Sequence, residues 1–216
     1  SFVKPLARSS SKWAQISSTP ASGAVHAVDT SPDGRTAVSG GFAGTAWMQP
    51  GELILWDLET GKEIRRLEGH LAGIVAAELT PVGEALLASS GDAEIFTDEL
   101  PGETLEPGIT PFDLILWDVE SGEMRRRFDA LGDDVYTLSI SPYGTKALTG
   151  SYYGNASSLW DLETGDRIHT LEAHHEGVRT VAVGGDEGGQ MRVVGRTDRT
   201  KEERSMIFRR RCATAR

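Results

Sequence analysis

The sequence predicts an all-β fold, a β-propeller assembled from about four copies of one four-stranded unit. Three observations predict it. The first is a phrase repeated around a Trp-Asp pair: LILWDLETGKEIRRL at 53–67, LILWDVESGEMRRRF at 114–128 and LWDLETGDRIHTL at 159–171. The second is a fixed distance. Counting 24 residues from each Trp leads to Thr80, Ser141 and Gly184, and the turns at Thr80-Pro81-Val82-Gly83 and Ser141-Pro142-Tyr143-Gly144 echo Ser31-Pro32-Asp33-Gly34. The third is period-2 alternation in a short segment ahead of each such turn, the mark of a strand with two unlike faces. Self-similarity at a period near 40 residues, stretched by insertions, indicates a repeat architecture.

Each copy divides into four segments. The first members are expected to start near Val25, Ile74, Val135 and Val178. A Pro- or Gly-rich turn follows, with Asp33-Gly34 the strongest hairpin signal among them. The second segment is small and apolar: Thr36 to Ser39, Ala85 to Ala88, Lys146 to Thr149 and Met191 to Val194. The third holds the Trp-Asp pair. Glu-Thr-Gly or Glu-Ser-Gly then turns the chain, with glycine where φ is positive. The fourth segment is charged, as in Glu63 to Leu67, which suits an outer edge that must not recruit further strands. Four antiparallel strands repeated about an axis describe propeller blades.

The Trp-Asp pairs, the Ser-Pro-Asp-Gly type turns and the Gly69-His70 element together resemble the WD-repeat (WD40) family, from about Val25 to Phe208. The wording of the repeat is similar to bacterial members. The resemblance implies a buried tetrad of His, Ser/Thr, Asp and Trp with a structural role. The second copy offers His70, Ser89 or Ser90, Asp92 and Trp117. The third has Leu131 and Tyr153 at the His and Asp places. The fourth restores His174 and Asp198 but carries Phe208-Arg209 instead of Trp-Asp. The expected division is an extension or stray outer strand over 1–22 and blade 1 over 23–71. Blade 2 follows over 72–131 with an acidic insertion at 91–111, then blade 3 over 132–174. A degenerate blade 4 spans 175–210 and a basic tail 211–216. An open arc is expected, with a closed four-bladed ring as the alternative.

Composition excludes some functions. The 216 residues carry a net charge of −10, which opposes general nucleic-acid binding. No apolar run reaches the length of a membrane-spanning helix, and SFVKPLARSSSKW lacks the apolar centre of a secretory signal. Cys212 is the sole cysteine, so an intramolecular disulfide and a thiolate metal cluster are both impossible; this fits a reducing, cytoplasmic setting. Segment 192–216 has nine Lys/Arg against three Asp/Glu, read as a solvated terminus. No nucleophile elbow, metalloprotease helix or phosphate loop occurs. His174-His175 lacks a third ligand, and Gly184 to Gly189 reads as a turn. No catalytic residue, metal or cofactor is expected.

Function is expected in two long insertions. GGFAGTAWMQPG at 40–51 carries Phe42, Trp47 and Met48. GDAEIFTDELPGETLEPGITP at 91–111 carries Glu94, Phe96, Asp98 and Glu99. Equivalent loops of neighbouring blades share one face, so an aromatic contact with an acidic rim is expected there for a protein or peptide partner. The bland reading is a pair of solvated insertions. The resulting expectation is a non-catalytic interaction scaffold within a larger signalling or regulatory protein, with self-association through open blade edges. The competing readings are a propeller-based hydrolase or quinone-dependent dehydrogenase, and a structural fragment with no site.

Overall fold

The alternating segments and their glycine turns become four successive meanders. The computed structural model describes residues 23–42, 51–91, 112–130, 134–152, 154, 156–172, 177–185 and 191–196. The first sheet is β1 (Val25–Thr30), β2 (Thr36–Gly41), β3 (Glu52–Asp57) and β4 (Lys62–Arg66). The second is β5 (Ile74–Leu79), β6 (Ala85–Ser90), β7 (Asp113–Asp118) and β8 (Met124–Phe128). The third is β9 (Val135–Ile140), β10 (Lys146–Ser151), β11 (Ala156–Asp161) and β12 (Arg167–Glu172). A hairpin of β13 (Thr180–Gly185) and β14 (Met191–Arg196) follows. Every pairing is antiparallel between sequence neighbours. Among the described residues there is no helix.

Three of the four expected first strands begin where alternation places them. The fourth starts at Thr180 rather than Val178. Val178 is spent on the connection instead: it is buried, and its N–H donates to the Ser151 carbonyl at 2.8 Å.

The sheets stack as blades around their innermost strands β1, β5, β9 and β13. They form an open arc in the described residues, with the first sheet and the β13–β14 hairpin at its two ends. Apolar side chains fill each gap. Ala27, Val38, Leu53 and Leu55 of the first blade meet Ile74, Leu86, Ile115 and Trp117 of the second. Leu87, Leu114, Leu116 and Phe128 meet Leu138, Ala147 and Trp160 of the third. Leu148 meets Val178, Val181 and Val183. Each buried Val, Leu, Ile or Phe among these stabilises by about 1.5–3 kcal/mol, the alanines less. The core is therefore distributed between blades, and a lone blade would bury neither of its faces.

Polar joints repeat across the same gaps. The fifth residue of β1, β5 and β9 accepts a hydrogen bond from the innermost strand of the next blade. Asp29 takes the Leu79 N–H at 2.8 Å, Glu78 the Ile140 N–H at 3.0 Å and Ser139 the Val183 N–H at 3.2 Å. At the rim, Arg65 donates to the Ser121 carbonyl and Arg126 to the Glu163 carbonyl at 2.8 Å. The glycines beside those carbonyls are needed twice over. Gly122 and Gly165 have φ of 76° and 85°, and a Cβ there would lie 2.6 and 2.7 Å from the incoming arginines. The charges of the outer strands thus do more than protect an edge; they tie each blade to the next.

Candidate functional site

The repeated Trp organises each blade locally. Opposite it, one residue of the neighbouring strand pairs with it, and the residue two further on shares its face. In blade 1 that residue is Ser39, and the Trp56 indole N–H donates to its hydroxyl at 2.8 Å. In blade 3 it is Thr149, which accepts from Trp160 at 2.9 Å. In blade 2 the same place holds Ala88, which has no acceptor. Trp117 turns to His70 instead, donating to Nε2 at 3.4 Å. The following Asp closes the turn. Asp57 and Asp161 each accept two backbone N–H groups, at 2.8 and 3.0 Å. Asp118 accepts the Ser121 N–H at 2.7 Å. That bond, with the Arg125 guanidinium, holds the Asp118 carboxyl down to about 2.

His70 lies on the connector between blades 1 and 2 and is buried. The indole can only donate, so Nε2 must be the accepting nitrogen and the ring proton sits on Nδ1. Burial, with the nearby Arg127 charge, pushes the His70 pKa down to about 3. The ring is therefore neutral at physiological pH. Its Nδ1 is buried and has no partner among the described residues; Asp92, the expected partner, lies outside them.

A second set of contacts fixes this connector, and sequence reasoning missed it. Asp113, buried at the start of β7, accepts the Leu71 N–H at 3.4 Å and pairs with Arg127 of β8. Arg127 also donates to the Gly69 carbonyl at 3.0 Å. Asp113 immediately precedes the repeated Trp phrase of blade 2 and Arg127 lies near its end, but no sequence pattern pairs the two. In the next connector a different device appears. Asp134 accepts from the Ser151 hydroxyl and from the Tyr152 N–H, the latter at 3.2 Å.

The structure separates the expected site residues. His70 and Trp117 are brought together. The place facing Trp117 belongs to Ala88, while Ser90 accepts the Asp113 N–H at 3.3 Å and the buried Ser89 hydroxyl has no partner among the described residues. Phe42 is half-buried, edge-on to His26 at 4.8 Å. A Cβ on Gly73 would fall 2.1 Å from its ring. Phe42 thus packs blade 1 onto the next connector rather than standing free for a partner. Trp47, Met48, Asp92, Glu94, Phe96, Asp98, Glu99, His174 and Asp198 lie outside the described residues.

What the arrangement does chemically is hold shape. Among the described residues the three strongly shifted groups, His70, Glu78 and Asp118, all serve turns or blade contacts. Glu78 is pushed up to about 7 by burial, opposed by the Ile140 N–H and reinforced by the Asp29 charge.

No protein-family model matches the chain. Similarity to curated proteins exists at low identity. The chain is 26% identical over 122 residues to the WD repeat-containing protein SL1-17 of Schistosoma mansoni, covering 56% of this chain and 34% of that protein. It is 25% identical over 149 residues to the WD repeat-containing protein srw1 of Schizosaccharomyces pombe, covering 68% and 23%. It is 23% identical over 117 residues to autophagy-related protein 16 of Arabidopsis thaliana, covering 54% and 19%. The matched part is thus at most about a third of these relatives' length. All three are eukaryotic. With three blades built around Trp-Asp pairs, these low-identity relatives support a place for the chain among WD40-repeat proteins.

Proposed function

We propose that this chain is a non-catalytic interaction scaffold, a rigid stack of WD-type blades that presents loops to a protein or peptide partner. The observation that carries the reading is the use of polar chemistry. The Trp-Asp repeats, the inter-blade acceptors, the rim arginines and the Asp113–Arg127 pair are all committed to fixing blades and connectors. Similarity to WD-repeat proteins supports the same reading. The contact residues proposed from sequence are Trp47 and Phe96, with Met48 beside them and Glu94, Asp98 and Glu99 as the charged rim. The anchors of both insertions, Gly41 and Gly51, Gly91 and Phe112, open at the same end of neighbouring blades. A bacterial-type, cytoplasmic setting within a larger regulatory protein, and self-association through the ends of the arc, belong to this proposal.

Trp47→Ala tests it. Loss of an aromatic anchor is expected to weaken partner binding by about 2 kcal/mol or more, with little change in melting temperature. A pull-down from cell extract with wild type and variant side by side reads the result. Equal recovery of the same partners would remove Trp47 from the contact surface.

A further inference from the structure

In a four-stranded meander, the first and third turns lie at one end and the second connection at the other. The long insertions are second connections, so the tight turns form the opposite end of the arc. This end is continuous. A Cβ on Gly83 would lie 3.6 Å from Ser31 and 3.8 Å from Pro32, and one on Gly144 would lie 3.5 Å from Pro81. The rim turns are bridged by Arg65 and Arg126. Pro32, Pro81 and Pro142 therefore form a row on three adjacent blades.

Two side chains project from that row without cover: Val82 is 74% exposed and Tyr143 is 72% exposed. They occupy equivalent places in neighbouring turns, so the exposed apolar surface is shared by two blades and is not a single stray residue. The surrounding charge is predominantly negative. The six turns at 31–35, 57–62, 80–84, 118–123, 141–145 and 161–166 carry ten Asp/Glu and two Lys/Arg. Glu59, Glu84, Glu120, Glu163 and Asp166 are exposed. Arg125 and Lys146, at the margin, are engaged by Asp118 and Asp161.

We propose that this turn face is a second docking surface, which takes a basic segment carrying apolar side chains. The Val82–Tyr143 pair receives the apolar residues and the Tyr143 ring also offers its face to a guanidinium. The acidic turns supply the complementary field that steers a cationic chain. The proposal extends the interaction-scaffold reading to the opposite end of the arc. Its failure would leave the Trp47 test untouched.

The probe is a fluorescein-labelled peptide alternating arginine and leucine, titrated by anisotropy into the full chain. Versions with leucine replaced by serine, and with arginine replaced by glutamate, serve as controls. Val82→Ser with Tyr143→Ser is expected to weaken binding of the arginine–leucine peptide about tenfold or more, at unchanged melting temperature. Glu84→Lys with Glu163→Lys is expected to slow association and reduce its salt dependence. Glu68→Lys, on the connector at the other end, is expected to leave binding as it was. The proposal is overturned if the peptide does not bind, or if the serine version binds equally well. It is also overturned if the double turn variant binds like wild type, or if Glu68→Lys weakens binding as much as the turn reversals do.

Discussion

Replacing Trp117 with Ala is expected to lower the stability of the chain by about 3–5 kcal/mol, the range for a large aromatic removed from a packed core. Trp117 is buried in the layer between blades 1 and 2, beside Leu53, Leu55 and Ile115. Its loss would also leave His70 Nε2 buried without a donor, a further cost of about 1–3 kcal/mol where no water reaches it. Because Trp117 joins two blades, the deficit should appear as loss of their mutual packing as well as of one strand. Trp117→Phe separates the two contributions. It retains most of the volume and removes the indole N–H, so it should lose mainly the hydrogen-bond part. Urea unfolding midpoints at constant slope read both. A Trp117→Ala midpoint within error of wild type would show that this layer does not hold the blades together.

The second large effect is expected in the pH dependence. Glu78 titrates at about 7 in the folded chain, against an ordinary value of 4.5. The folded state therefore holds this proton more tightly than the unfolded state does. Its contribution is fully present below the unfolded value and is lost as pH rises through about 7. Among the strands packed on β5, the titratable side chains are Asp29 and His26 on β1 and Tyr136 on β9; β2 and β6 carry none. Asp29 is the charge that raises Glu78. Glu78→Gln keeps the acceptor for the Ile140 N–H and removes the ionisation. It is expected to match wild type near pH 4 and to exceed it at pH 8 by roughly 1–3 kcal/mol, after discounting for solvent screening. Thermal unfolding of both proteins across that range measures the difference. Parallel profiles would show that Glu78 does not ionise against a penalty in this joint. His70 acts in the other direction. Its value is depressed to about 3, so the stability it contributes is lost as pH falls below its ordinary 6.5.

The parts of the fold that local chemistry dictates were legible in the sequence. Glycine at Gly34, Gly83 and Gly144 marks hairpins because each adopts a φ of 69–75°. Trp-Asp followed by Glu-Thr-Gly marks a turn because the Asp side chain caps it. The strand starts at Val25, Ile74 and Val135 followed from the alternation ahead of these hairpins, and Val178 was misplaced because a connector and a strand share the same alternation. The hydroxyl partners Ser39 and Thr149 were within reach of the sequence, since strand register alone puts them two residues from the position facing Trp. Reading the buried Ser89-Ser90 pair as the counterpart in blade 2 failed because Ala88 holds that register. The joints at Asp29, Glu78 and Ser139 were not legible. They depend on which strand lies next to which in space, and three different side chains do the same work. Asp113 and Arg127 were hidden for a similar reason: an outer-strand arginine looks solvated until the connector it holds is seen.

The joints of the inner strands also give the arc a direction. There the acceptor belongs to the earlier blade and the donor to the later one, whereas at the rim Arg65 and Arg126 of the earlier blade donate to the later. Asp29 ties the first pair, Glu78 the second and Ser139 the third, and Ala182, in register behind them, has no side-chain acceptor. Because each donor is a backbone N–H, which every blade presents alike, the joint is set by the acceptor side chain alone. A tandem copy of the second blade could therefore join the stack through the same bond, adding one more carboxylate to a column in which Asp29 and Glu78 already repel each other.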